Sequence, residues 1–342
     1  NRTLMPTAVW RHHGAVWQAE AGFGHSKARH TLRNMDRGLF NTTNAQRTGL
    51  TVSFDDIFYL RPRVITVTDG ATGAPVDPYR LENYALTATS GSEQHNADTQ
   101  RTAYANLRRD FTWAVPFSLK AGLDHRHATR DLRGTSASYT FVGRDGRAST
   151  TVGANDDNAA PFIDERASLR VAPFGFPRVQ WMSNEAVLDA YRANPSWFTG
   201  NANSEYRSEV SASKRSQETV SAAYLRADAA FLDRRLRLTG GVRAEQTNVE
   251  AEGPLTDPTR NFQRDARGNP VLGAGGRPLL VATDALAVSR LTFLERASRS
   301  EKEYLRLFPS LNASYTIREN LIARAATYQS IGRPNLNQYA GG

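Results

Sequence analysis

The segment Leu236 to Thr247, LRLTGGVRAEQT, admits few folds. A strand sends successive side chains to opposite faces. Leu236, Leu238, Val242 and Ala244, with Gly240 among them, then share one face. Arg237, Thr239, Arg243, Glu245 and Thr247 share the other. A tight turn at Asp233-Arg234-Arg235 joins this strand to the preceding segment, Glu218 to Leu232. A soluble sandwich could use such a pattern once. Here it recurs, with very short turns at one end and very long connections at the other. That asymmetry predicts an all-β fold, an antiparallel transmembrane β-barrel wall with its apolar face to lipid and its polar face inward.

Three further hairpins carry the pattern. Thr3 to Arg11 precedes Ala15 to His25 across His13-Gly14, with Ala15, Trp17, Ala19, Ala21 and Phe23 opposite Gln18, Glu20, Gly22 and Gly24. Arg101 to Trp113 and Phe117 to His127 flank Val115-Pro116, where a proline without a ladder donor fits a turn. Ala103, Ala105, Leu107, Phe111 and Trp113 oppose Tyr104, Asn106, Arg108 and Asp110, with Arg109 the one cation on the apolar side. Tyr304 to Tyr315 and Leu321 to Ser330 form the last pair, turning near Arg318-Glu319-Asn320. The expected total is about eight membrane strands, each near the roughly 9–11 residues of a tilted crossing. Trp17, Trp113 and Tyr315 suit interfacial girdles.

Residues 26–100, 128–215 and 248–303 then read as long loops with local structure of their own. Ser138 to Val142 and Ala148 to Val152 flank Gly143-Arg144-Asp145-Gly146, a small hairpin signal. Ser183 N-caps a predicted helix to about Ala193, stopped by Asn194-Pro195. Arg267 to Pro270 and Gly273 to Gly276 mark turns.

Composition removes several function classes. Hydrophobic residues make up 39% of the 342, and no apolar run is long enough for a transmembrane helix, which does not bear on a barrel. The net charge is +9, but the arginines are dispersed between apolar residues and lysine occurs only at 27, 120, 214 and 302. Dispersed charge without a basic helix, zinc-ligand set or aromatic RNA motif argues against a nucleic-acid partner. Without cysteine, disulfides and thiolate metal sites are excluded. No nucleophile elbow, HExxH or phosphate loop is present, so no catalytic residue, enzyme activity or cofactor is assigned.

The candidate functional residues are of two kinds. Arg237, Arg243, Glu245 and Arg324 fall on inward-facing positions, either lining an import path or forming a charge ladder that keeps the interior polar. Trp181, Tyr191, Trp197 and Phe198, in an aromatic-rich stretch that includes Phe174, Phe176 and Tyr206, could stack on a ligand, but a small loop core is the expected role. His125 and His127 share a face without a third ligand, so no metal site is assigned. Asn155-Asp156-Asp157-Asn158 lacks calcium-loop spacing and reads as a solvated turn.

Phe308 to Ala340 resembles the late barrel segment of TonB-dependent outer-membrane receptors, through Pro309-Ser310-Leu311, Arg324 and Arg333-Pro334-Asn335. Ala222 to Thr247, with Gly241-x-Arg243-x-Glu245, resembles another hairpin of that family, and PFSLKAGLDHRHATRDLRG also fits. The resemblance implies a Gram-negative outer-membrane protein with periplasmic turns and extracellular loops. It also implies import of a scarce ligand such as siderophore-bound iron or an oligosaccharide. Its partners would be outer-membrane lipid, that ligand, and the inner-membrane TonB energy-transducing complex acting through a plug. No plug and no terminal strand are recognisable, so residues 1–342 are expected to be one partial barrel domain of a longer protein. The alternatives are a passive porin-type channel and a soluble or surface all-β carbohydrate-binding or adhesion protein.

Overall fold

The structure is a computed structural model and describes residues 1–59, 61–150 and 156–340. Among these, thirteen strands form: β1 (Arg2–Leu4), β2 (Thr7–His13), β3 (Trp17–Arg33), β4 (Thr42–Gln46), β5 (Leu50–Phe58), β6 (Arg61–Asp69), β7 (Ala85–Phe111), β8 (Phe117–Phe141), β9 (Phe198–Gly200), β10 (Lys214–Phe231), β11 (Leu236–Thr256), β12 (Phe293–Arg318) and β13 (Leu321–Tyr328). Five helices accompany them: α1 (Glu165–Ser168), α2 (Asn184–Ala193), α3 (Ala202–Ala212), α4 (Ala285–Thr292) and α5 (Leu336–Tyr339). The chain divides into two compact units.

The first unit comprises Asn1–Thr31, His95–Arg133 and Val210–Gly342 and is a strand wall. The sheet runs β1-β3-β7-β8-β10-β11-β12-β13, with β2 also on β3. All four expected hairpins form, and no pairing among the described residues joins β13 back to β1 or β2, so the barrel is incomplete. Alternation holds through the register: Ala222 lies opposite Glu245, Tyr224 opposite Arg243 and Asp228 opposite Thr239. Leu225 lies opposite Val242, and Gly240 opposite Leu311, on the other face.

The polar face is packed by tyrosines laid across glycines of the neighbouring strand. A Cβ at Gly22 would lie 2.5 Å from the Tyr104 ring, whose hydroxyl donates to Glu20 at 2.7 Å. Tyr224 covers Gly122 in the same way and donates to Asn106 at 2.6 Å. Glycine is required there because any side chain would occupy the space of the ring.

The turn side carries the aromatics. Trp113 stacks on Phe117 with centroids 5.3 Å apart. Arg109 lies over the rings of Trp17 and Phe111, so this cation among the apolar residues extends towards the turn side rather than into lipid. The Leu232–Arg235 turn holds three successive residues, Leu232, Asp233 and Arg234, at φ between 52° and 67°, a region unfavourable for branched side chains. Arg235 steadies it by donating to the carbonyls of Thr316 (3.2 Å) and Ile317 (2.7 Å), with its guanidinium over Tyr315.

The strands are far longer than a bilayer crossing, with 27 residues in β7, 25 in β8 and 26 in β12. The expected loops 26–100, 128–215 and 248–303 are therefore shortened from both ends. Ladder pairing continues where the apolar alternation has stopped, because two strands can extend each other in water without a lipid face to satisfy.

The second unit comprises Leu32–Gln94 and Gly134–Glu209. Here β4 pairs with β7, β9 pairs with β8, and β5 and β6 form a separate hairpin. Ser183 caps α2 through a hydrogen bond from the Ala186 amide, and the helix stops before Asn194, as its sequence signals indicate. The core gathers Phe40, Leu81, Leu86, Phe141, Ala159, Val187, Leu188 and Phe198. The small hairpin expected over residues 138–152 does not form among the described residues. Residues 138–141 complete β8, whose end pairs instead with β9, while residues 148–150 adopt no strand and residues 151 and 152 lie outside the described residues.

Candidate functional site

The polar face of the wall carries one connected charge cluster. Arg243 donates to Glu245 at 3.0 Å and lies 3.4 Å from Asp124. Glu245 is only 8% exposed, which a carboxylate tolerates only when paired. Its second partner is Arg333, which also lies 3.5 Å from Thr247 and 4.0 Å from Glu218. Arg126 approaches Glu218 at 3.9 Å.

Arg333 reaches this cluster because the chain turns back over the polar face after β13. Ser216 donates to the Leu336 carbonyl at 2.9 Å. A Cβ at Gly253 would collide with the Ala340 carbonyl, so glycine permits that close approach. Burial, with Tyr304 and Glu218 nearby, raises the Tyr339 hydroxyl above its ordinary pKa. Beneath this segment Val220, Thr247, Val249 and Ala251 are buried.

The four predicted inward residues therefore fall into two groups. Arg243 and Glu245 belong to the cluster. Arg237 and Arg324 flank Ser314 on the same face, one on each neighbouring strand, without a carboxylate within ion-pair distance among the described residues. Arg333 joins the cluster as well, and its partnership with Glu245 and Glu218 is not legible in the sequence. Neither spacing nor periodicity signals that the chain folds back.

The second unit contains a cleft of about 1260 Å³, lined by Thr43, Asp164, Arg166, Arg170, Trp181 and Glu185 among others. Its walls are fixed by hydrogen bonds within and between its segments. Asp164 accepts from the Ala167 amide at 2.8 Å, Ser168 accepts from the Trp181 amide at 2.9 Å, and Thr43 donates to Asn184 at 2.7 Å. Trp181 is 56% exposed at this cleft, beside two arginines. An indole face and guanidinium groups can stack on and pair with a planar or anionic ligand, while the flanking carboxylates can accept from its polar groups and the hydroxyls can accept or donate.

The other three aromatic candidates are placed differently. Tyr191 and Phe198 pack edge-to-face with centroids 5.4 Å apart, and both contact Phe40. Trp197 packs on Phe141, with Arg144 over its ring. These three serve the core of the unit, whereas Phe174 and Trp181 do not.

The histidine pair is satisfied by hydroxyls: His125 lies 3.0 Å from Ser221 and His127 lies 2.9 Å from Thr219. The Asp156-Asp157 turn is solvated only in part: Asp156 is exposed, but Asp157 is not. Asp157 is buried and accepts from the Ser149 amide at 2.7 Å, and Asp156 accepts from the Arg144 amide. The two carboxylates hold the turn after β8, while Asn155 lies outside the described residues.

The wall and its polar face define a piece of an outer-membrane β-barrel. A family model described as "TonB dependent receptor-like, beta-barrel" matches residues 21–342, and the chain belongs to that family. Among solved structures it is similar to the ferric-catecholate import receptor Fiu from E. coli K12 in its open form, with 12% identity and a TM-score of 0.44. That match covers 95% of this chain and 35% of the receptor chain. No curated protein sequence matches.

Proposed function

We propose that this chain is the wall and external loops of a TonB-dependent receptor that imports a scarce ligand, siderophore-bound iron or an oligosaccharide. The observation that carries this reading is the wall itself, with large apolar side chains outward and a paired cluster of arginines and carboxylates on the opposite face. The cluster of Arg243, Glu245, Glu218 and Arg333 would face the import path, and the cleft at Trp181, Arg166 and Arg170 would make first contact with ligand. Energy would come from the TonB complex through a plug contributed by the rest of the protein.

The test is uptake by cells expressing the full-length protein, with and without TonB. The protein should fractionate with the outer membrane as a heat-modifiable species. Uptake of labelled ferric siderophore or oligosaccharide should then fall to background in the TonB-deficient strain. Uptake that persists without TonB would identify a passive channel, and a soluble protein without heat-modifiable migration would remove the receptor reading altogether.

A further inference from the structure

The apolar face of the wall ends in a group of cations without carboxylate partners. On β3 the outward residues run Trp17, Ala19, Ala21 and Phe23, and then become His25, Lys27 and Arg29. Arg29 lies directly opposite Arg2 of β1, and Lys27 opposite Leu4. Like charges placed directly opposite each other repel. Gly24 packs against the Thr102 hydroxyl on the polar face, which sets His25 beside Arg101 on the outward face. The Asp98–Arg130 pair, at 2.6 Å on the polar face, likewise sets Arg101 beside His127. Among the described residues no carboxylate lies within ion-pair distance of Arg2, Lys27, Arg29 or Arg101.

The outward faces of β11 and β12 are different. There Arg299 pairs with both Glu250 and Glu301, and Gln246 donates to Glu303 at 2.9 Å. The cation on that side has its carboxylate partners within the protein. Among the described residues Arg2, Lys27, Arg29 and Arg101, on β1, β3 and β7, have no such partner, whereas Arg33 at the far end of β3 pairs with Asp36.

We infer that Arg2, Lys27, Arg29 and Arg101 form a cationic band that binds the phosphate groups of an outer-leaflet glycolipid headgroup. The band begins immediately beyond the last apolar residues, Phe23 and Ala103, where a headgroup meets a barrel. Guanidinium groups present a planar donor fork that matches phosphate oxygens. An anionic membrane surface attracts juxtamembrane cations. The inference rests on the outer-membrane reading above.

The experiment uses the full-length protein in neutral detergent, after heat-modifiable migration has established a folded barrel. Native mass spectrometry then follows titration with bisphosphorylated lipid A, with the same lipid after dephosphorylation, and with inorganic phosphate. The wild type should retain the phosphorylated lipid and release the dephosphorylated one. At roughly fivefold per cation near a charged headgroup, a Lys27→Gln, Arg29→Gln, Arg101→Gln variant should weaken retention about 100-fold. An Arg267→Gln, Arg277→Gln, Arg290→Gln variant, which removes equal charge from exposed positions between β11 and β12, should not. Equal retention of the two lipids overturns the proposal without need of any variant, as does equal retention by the wild type and the first triple variant. Competition by inorganic phosphate at lipid concentrations would reassign the band to free phosphate and also overturn it. A protein that never forms a heat-modifiable species would fail the outer-membrane reading instead, before any lipid is added.

Discussion

The two units of this chain differ in where their large apolar side chains go. In the wall, Leu123 is 63% exposed and Leu307 59%, while Thr247 and Ser216 are buried. In the loop unit Phe40, Leu86 and Val187 are fully buried, and Leu188 nearly so. Both units are made from strands with alternating side chains. The apolar side of an alternating strand has to leave water, and it can do so against lipid or against other apolar side chains. Patterning within a strand does not distinguish these outcomes. What distinguishes them is whether aromatic and aliphatic residues from several segments converge, as Phe40, Phe141, Tyr191 and Phe198 do, or stand in parallel rows, as Leu305, Leu307 and Leu311 do.

The comparison can be broken first in the loop unit. Phe198 sits among Phe40, Phe141 and Tyr191. Phe198→Ala should cost about 3–5 kcal/mol, the usual range for emptying an aromatic position in a packed core. Hydrogen exchange on the full-length protein would show lost protection in α2 and β9, with the β10–β11 ladder unchanged. Unchanged protection in α2 would mean that the cluster is not a core.

The wall offers the converse substitution. Val242 lies on the apolar face opposite Leu225 and Pro309. Val242→Arg should cost about 2–4 kcal/mol if that face meets lipid at mid-membrane, and should deplete the heat-modifiable species in the outer membrane. Asn312→Arg, on the opposite face, should assemble like the wild type. If the two variants assembled equally well, the assignment of faces would be wrong.

The sequence made the wall legible and the loop unit largely illegible. Leu236 to Thr247 announces its faces because lipid on one side and polar neighbours on the other enforce a strict period of two. The same strand continues to Thr256, but with Glu250 and Glu252 on the face that held Leu238 and Val242, and the signal vanishes where lipid ends. Local signals remained readable: Ser183 caps α2 as its position predicts, because capping involves only neighbouring residues. The contacts that escaped detection are nonlocal. Phe40 meets Phe198, and Arg333 meets Glu245, through chain reversals that no residue spacing encodes. The Trp181 cleft is likewise assembled from segments more than a hundred residues apart.

The smallest effect expected concerns Tyr139, which packs against Phe40 and Tyr191 in the loop unit. Burial, reinforced by a hydrogen bond with Tyr191, raises its hydroxyl well above the ordinary value of 10.0. The folded state thus holds the proton more tightly than the unfolded chain does. That preference contributes stability fully below about pH 10, and the contribution is lost as pH rises from there through the folded-state value. The loop unit should accordingly weaken above pH 10, with the loss confined to amides around α2 and β9. Tyr139→Phe removes the ionisable group while keeping the ring, so its stability should be flatter over that range. Hydrogen exchange at pH 9 and pH 10.5, corrected for intrinsic rates, reads the difference. An equally steep loss in the Phe variant would place the alkaline sensitivity elsewhere, and would show that this hydroxyl is no more deeply embedded than one on the wall's exposed edge.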